Sequence, residues 1–269
     1  MDAIILAAGR GSRLMPYTKN SPKCLTEISR KPLLHWQIEA LQSSGVKNII
    51  IVIGYLGNQI RKATQGYANI FLINNPNWAE TNMVESLMCA QSFFCDDFIV
   101  SYSDIIYQLS VLENLTVADS EIMVAVDTGW KHYWASRFYN PLSDAESLRI
   151  SGADQIIEIG DKVSVLDEIE AQYIGLLRFK GEGVNELVLA HQELGNVGRH
   201  WMNNRKVKQA HMTDLLMEMI LRGFPVTAVK IFRSWLEIDT PDDLRLAIKL
   251  IKEPSWSQQD AVQTKIYAL

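Results

Sequence analysis

The sequence predicts an α/β fold: a doubly wound, mostly parallel sheet carrying a small inserted β lobe. Three observations carry that expectation. Ala3 to Ala8 is an unbroken apolar run closed by Gly9, the pattern of a strand buried on both faces of a parallel sheet. From there to residue 126, strand-like and helix-like segments alternate. After Asp127 the rhythm gives way to aromatics and short alternating runs, which mark the lobe.

Taken in order, Leu34, Ile38 and Leu41 recur at i, i+4 and i+7 before Gly45, so Pro32 to Ser44 reads as a helix with a glycine stop. Asn48 to Ile53 is a β-branched strand, Gly57 to Thr64 a polar helix and Ile70 to Ile73 a short strand. Met83 to Phe94 is apolar at helical spacing, Asp97 to Tyr102 is a strand, Leu109 to Val117 a helix and Ile122 to Val126 a strand. The aromatic stretch GWKHYWASRFYNP and the runs Gln155 to Ile159 and Lys162 to Leu166 read as antiparallel hairpins, the latter two joined at Gly160-Asp161. Tyr173 to Phe179 reads as a strand, Met212 to Leu221 as a helix capped by Thr213 or its neighbour, and Val226 to Ile231 as a strand. Leu236 to Asp239 is short and extended, and Thr240-Pro241 opens a last helix through Lys252. Residues 1–252 therefore form one domain, divided at 126 into two halves, with 253–269 a loose tail or oligomer contact.

The formal net charge is −5, with Lys and Arg scattered, which argues against nucleic acid as a partner. Three cysteines without CxxC spacing fit a reducing cytoplasm and offer no zinc site. No apolar run approaches the roughly 20 residues of a membrane helix, so no membrane partner is expected. The start MDAIILAAG lacks the pattern of an export signal.

The chemistry concentrates in a few segments. In LAAGRGSRLMP, Gly9 and Gly11 let the backbone turn after the first strand with its N–H groups facing an anion. Arg13 adds a fork suited to phosphate oxygens, and Lys23 in SPKCL a point charge. The segment has neither the GxGxxG of a dinucleotide fold nor GxxxxGK[ST]. Asp104 follows the strand FIVSYS, at the sheet edge where α/β ligands collect. Glu237 and Asp239 in WLEID lie two apart, on one face of an extended segment where they could share one metal, the alternative being that Asp239 or Thr240 caps the last helix.

LAAGxGxRxxP followed by PKxL resembles the signature of the nucleotidyltransferases that activate sugar phosphates and phosphorylated alcohols. The resemblance implies a Rossmann-like nucleotidyltransferase sheet with an acceptor-binding lobe, residues 1–126 serving the nucleotide and 127–252 the acceptor. It places the backbone of Leu6, Ala7, Ala8, Gly9, Arg10 and Gly11 around base and ribose, Ser12 also on the nucleotide, Arg13 on the leaving pyrophosphate and Lys23 on the α-phosphate or transition state, with Asn82 and Ser86, in the stretch NPNWAETNMVESL, reading the base. It makes Lys23, Arg13 and Asp104 the catalytic set, and Asp104, Glu237 and Asp239 the ligands of Mg²⁺. Ser103-Asp104 stands where the family usually has Gly-Asp.

The stretches TNMVESL, DAESL and YIGLLRF look most like cytidylyltransferases that join CTP to phosphocholine and related phosphates or phosphonates, in cell-surface polysaccharide or phosphonate biosynthesis. Arg137, Lys162 and Tyr173 are then the acceptor-binding candidates, a solvated hairpin lysine being the alternative at Lys162. Trp130, Tyr133, Trp134 and Tyr139, with Asp144 and Glu146 nearby, suit an ammonium head group or simply pack together. Two other readings remain open: a sugar-1-phosphate nucleotidyltransferase using UTP, dTTP or GTP, and a non-catalytic nucleotide-binding regulatory subunit. A homodimer is left open, and the histidines are assigned no chemistry.

Overall fold

The computed structural model describes residues 1–194, 205–254 and 256. In chain order its strands are β1 Asp2–Ala7, β2 Glu27–Ile28, β3 Lys31–Pro32, β4 Ile49–Ile53, β5 Ile70–Asn74, β6 Asp97–Tyr102, β7 Ile105–Tyr107, β8 Ile122–Asp127, β9 Glu146–Ile150, β10 Ile156–Lys162, β11 Gln172–Lys180, β12 Thr227–Ile231 and β13 Trp235–Glu237. The helices are α1 Leu33–Ser43, α2 Gly57–Ala63, α3 Met83–Met88, α4 Leu109–Val117, α5 Trp130–Arg137, α6 Glu182–Leu194, α7 Met212–Leu221 and α8 Pro241–Leu250.

Seven strands form the central sheet in the order β12-β8-β11-β6-β1-β4-β5. All pairs are parallel except those of β11, which runs against both β6 and β8. The apolar run of β1 lies at the centre of this arrangement: Ala3, Ile5 and Ala7 pack into one face's core, Ile4, Leu6 and Ala8 into the other's. Such two-sided burial is why the strand reads as a run rather than an alternation. After β1 the chain builds outward through β4 and β5, then crosses back to place β6 on β1's other side. The C-terminal end of β1 is therefore the topological switch point, where open α/β sheets leave a crevice for a ligand.

Three segments differ from expectation. The aromatic stretch forms helix α5, because Trp130, Tyr133, Trp134 and Arg137 fall at i, i+3, i+4 and i+7 and bury one helical stripe. Aromatic β-propensity had masked that period. The lobe hairpin pairs β9 with β10, so the chain turns at Ser151–Gln155, where Asp154 takes a positive φ of 58° and Ser151 N donates to Gln155 O. Gly160-Asp161 lies instead inside β10, at an irregularity that Gly160 permits with φ 88°. The apolar stretch Met83 to Phe94 splits into α3 and a 3₁₀ turn at Gln91–Phe93.

Two short strands do much to shape the site: β7, which sequence reading missed, and β13, which overlaps the segment read as extended. β7 and β13 are three residues each and pair antiparallel with Glu237 opposite Ile105. Ile238 N donates to Asp104 O at 2.9 Å, which brings the segment after β13 against the turn after β6. Gln37 of α1, 1% exposed, donates its amide to the carbonyls of Tyr102 and Ile105 and so braces the same turn. Helix α8 starts at Thr240, whose hydroxyl accepts from Asp243 N while Asp243 accepts from Thr240 N. Thr240 is the cap, which leaves the Asp239 side chain for the site. Helix α7 is capped at His211 rather than Thr213, with His211 N donating to Asp214. Among the described residues no helix is long and apolar enough to cross a membrane.

Candidate active site

At the switch point lies a cavity of about 250 Å³, opened by the glycine loop on one side and by α3 on the other. Gly11 adopts φ 67°, and a side-chain carbon there would meet Lys23 Cβ at 2.7 Å, so this glycine serves both the left-handed turn and the close approach of Lys23. Leu6, Ala8, Gly9, Ser12 and Arg13 also line the cavity. Ala7 faces the core, and Arg10 turns outward over the Tyr55 ring, so neither of these two candidates is brought to it. The far wall is Trp78, Asn82 and Ser86. Trp78 fits because Gly54 has no side chain: a carbon there would stand 2.6 Å from both Ala8 O and Trp78 Cβ. Asn82 spends its carboxamide oxygen capping α3, accepting from Met83 N at 2.9 Å, and reaches Gln209 O through its nitrogen.

The floor is an ion cluster. Lys23 Nζ lies 2.6 Å from Asp104 Oδ2 and 2.5 Å from Asp239 Oδ1, while Arg13 Nε sits 2.7 Å from Asp239 Oδ2. Lys23 and Asp239 side chains are 9% and 6% exposed. Burial works against the lysine's charge, but the two carboxylates outweigh it and raise its pKa above the ordinary value. An ammonium that stays charged in a largely buried position beside the cavity is suited to stabilise negative charge developing on a phosphate there.

A second cavity of about 240 Å³ opens beside the first and shares Arg13, Met83 and Tyr102 with it. Its walls carry Asp144, Glu146 and Glu237 with Trp134 and Tyr173. Burial pushes the Glu146 carboxyl up to about 7, with Asp214 and Asp144 adding to the shift and Arg205 and Thr213 opposing it. Of the acceptor candidates, Tyr173 lines this second cavity. Lys162 does not line the cavity; it ends β10 as an exposed residue. Arg137 is not open to a ligand either. Its side chain is 0% exposed, bonded to Glu237 Oε2 at 2.6 Å and to Asp243 Oδ1 at 2.9 Å, over the rings of Tyr133, Trp134 and Phe138. It reads as a free cation in sequence because both partners are remote; in the fold it holds Glu237. Trp130 and Tyr133 are core residues, and Tyr139 is exposed.

The three proposed metal carboxylates divide between the cavities: Asp104 and Asp239 line the first, Glu237 the second. Among the described residues no cluster of three or more metal-ligating side chains forms. The pair nonetheless fits Mg²⁺, which takes one or two carboxylates plus phosphate oxygens and water: Asp104 Oδ1 is buried with no hydrogen-bond partner, a hard oxygen left over beside the cavity.

His211 and Gln172, which sequence reading passed over, also line the second cavity. No local motif announces them, since β11 and the start of α7 meet only in the folded lobe.

A mostly parallel sheet with a glycine loop at its switch point, a buried lysine and two acids defines a nucleotidyltransferase. Residues 3–163 match the MobA-like NTP transferase domain, and the chain belongs to that family. It is 38% identical over 255 residues to a CTP:phosphoglutamine cytidylyltransferase of Campylobacter jejuni, covering 93% of this chain and all of the relative. A 2-aminoethylphosphonate cytidylyltransferase of Lancefieldella rimae is 33% identical over 114 residues, covering 40% of this chain and 46% of that one. In fold, the chain is similar to a solved CTP:phosphocholine cytidylyltransferase of Streptococcus pneumoniae, with a TM-score of 0.67 at 20% identity over 93% of this chain and 99% of that one.

Proposed function

We propose that the protein is a cytidylyltransferase that couples CTP to a small phosphorylated or phosphonate acceptor bearing a cationic group. The observation that carries this reading is the Lys23 ammonium, clamped between Asp104 and Asp239 where the cavity of the glycine loop meets a second, acid-lined one. The relatives support the choice of reaction: phosphoglutamine, 2-aminoethylphosphonate and phosphocholine, named for three of them, each join a phosphorus oxyanion to an amine or ammonium.

An acceptor oxygen attacks the α-phosphorus of CTP, the bond to the β-phosphate bridging oxygen breaks, and pyrophosphate leaves with that electron pair. No protein base is needed, because a phosphate monoester with a second pKa of about 6 is already ionised at neutral pH. Catalysis is then positioning and charge stabilisation. Lys23 turns to the α-phosphate, Arg13 follows the departing pyrophosphate, and the glycine loop offers backbone N–H groups. Asp104 and Asp239 would hold Mg²⁺, which supplies Lewis-acid neutralisation of the phosphate oxygens. Asp144, Glu146 and Glu237 draw the cationic end of the acceptor, with Tyr102, Tyr173 and Trp134 as aromatic walls.

Pyrophosphate release across four nucleoside triphosphates and a panel of amino-phosphates, amino-phosphonates and sugar 1-phosphates tests the reading. Turnover is expected with CTP and an amine-bearing acceptor, lost in EDTA and restored by Mg²⁺. Turnover with a sugar 1-phosphate and UTP, dTTP or GTP, or binding without pyrophosphate release, would overturn it.

The Glu146 carboxyl gives this site a pH signature. With its pKa raised to about 7 by burial, the native state favours the protonated form. Its contribution to stability is full below its ordinary value and is lost as pH rises through about 7. Cation binding runs the other way, since only the carboxylate attracts an ammonium. KM for a cationic acceptor is expected to fall from pH 6 to pH 8. In Glu146→Gln the acceptor KM should rise about tenfold at pH 8 and lose part of this slope, since burial also pushes Glu237 on the same wall up to about 7. An unchanged pH profile in the variant would remove Glu146 from acceptor binding.

A further inference from the structure

The polar network behind the far wall of the nucleotide cavity has a fixed direction, and it begins at Asn75, the first residue of the stretch NPNWAETNMVESL, to which sequence reading gave no role. Asn75, 2% exposed, follows β5. Its carboxamide oxygen accepts from Asn77 N at 2.9 Å, which leaves no ambiguity about which end is the NH₂. That NH₂ donates to Thr81 Oγ1 and to Ser86 Oγ, each at 3.0 Å. Thr81 uses its own proton on Asn77 O at 2.9 Å. Ser86 Oγ is thus an acceptor on its Asn75 side, and among the described residues no group takes its hydroxyl proton. Ser86 lines the cavity beside Trp78, so that proton is available to the ligand.

We propose that Asn75 sets the nucleobase preference: by donating to Ser86 Oγ it commits the Ser86 hydroxyl to donate into the cavity, where it pairs with N3 of cytosine and opposes the N3–H of uracil. The inference rests on the cytidylyltransferase reading and adds to it the atom that discriminates. Cytosine N3 carries a lone pair and uracil N3 a proton, so a donor of fixed polarity suits one and leaves two protons facing each other with the other. A serine alone would not discriminate, because a free hydroxyl rotates to suit either base. The discrimination resides in the neighbour that occupies its lone pair. Asn75 touches no substrate and is a positioning residue.

Asn75→Asp is the direct test, because a carboxylate accepts from Ser86 and turns the serine's lone pair toward the base. The ratio of kcat/KM for CTP to that for UTP is expected to fall at least tenfold, through KM rather than kcat. Calorimetric titration of CTP and UTP without acceptor should show the same shift in the ratio of Kd values. Asn75→Ala frees the Ser86 hydroxyl to rotate and should lower the ratio by improving UTP, whereas Ser86→Ala should lower it through loss of CTP binding. Should Asn75→Asp fold poorly, by circular dichroism and melting temperature, these two decide. A purely structural Asn75 would weaken both nucleotides alike, and a ratio unchanged in folded variants would overturn the inference while leaving CTP use intact. A wild-type preference for UTP or a purine nucleotide would instead overturn the cytidylyltransferase reading and this inference with it.

Discussion

Replacing Lys23 with Met is expected to lower kcat by about 10²- to 10³-fold, the usual cost of removing one preorganised charge from a reacting phosphate. Nucleotide affinity should suffer less, since the glycine loop, Arg13 and the α3 wall remain. The same substitution should also lower the melting temperature. Lys23 is the cation between Asp104 and Asp239, and its loss leaves two carboxylates facing each other in a largely buried cleft with Arg13 as their nearest counterion. Breaking a buried pair costs about 3–5 kcal/mol, so the assay belongs well below the variant's melting onset. Lys23→Arg separates the two effects. It keeps the charge and so much of the stability, but Gly11 packs directly on the lysine methylenes and leaves little room for a planar guanidinium. A folded Lys23→Arg protein with kcat near that of Lys23→Met would show that ammonium geometry matters beyond charge. Normal turnover in Lys23→Met would remove the residue from the mechanism.

The residues of this cluster were legible in the sequence to different degrees, for reasons that lie in their range. Gly9, Gly11, Arg13 and Lys23 sit within one short segment and act partly through local backbone geometry, so spacing alone marks them. Asp104 was legible from its place at the end of a strand. Asp239 was found, but its meeting with Asp104 depends on β7 and β13, two strands too short to show a period and far apart in the chain. Arg137 shows the opposite failure. A cation among aromatics looks like a ligand site until Glu237 and Asp243 are seen to occupy it. Asn75 opens the stretch NPNWAETNMVESL but shows no role of its own there, because its part is to orient a neighbour's proton. The central sheet was legible because two-sided burial writes an unbroken apolar run, whereas the lobe's hairpin slipped because Gly-Asp serves a bulge as readily as a turn.

Asp239→Asn should be the more damaging of the two single carboxylate changes. Asp239 pairs with both site cations, accepting from Lys23 through Oδ1 and lying with Oδ2 2.7 Å from Arg13 Nε, and its backbone N–H is held by Asp243 Oδ2 at 3.1 Å. Among the described residues the Asp104 side chain pairs only with Lys23, and it is 22% exposed against 6% for Asp239. An asparagine at 239 must turn its NH₂ toward one of two cations, so one contact becomes repulsive rather than merely weaker. The expected result is a fall in kcat of about 10³-fold with the acceptor KM little changed, and a larger drop in melting temperature than Asp104→Asn gives. Combining the change with Lys23→Met isolates the pair itself. If Lys23 and Asp239 act as one unit, the double variant loses hardly more activity than either single one. It should also melt higher than Lys23→Met alone, because the unpaired buried carboxylate is gone. Additive losses in both activity and stability would mean that the 2.5 Å contact is incidental to each residue's work.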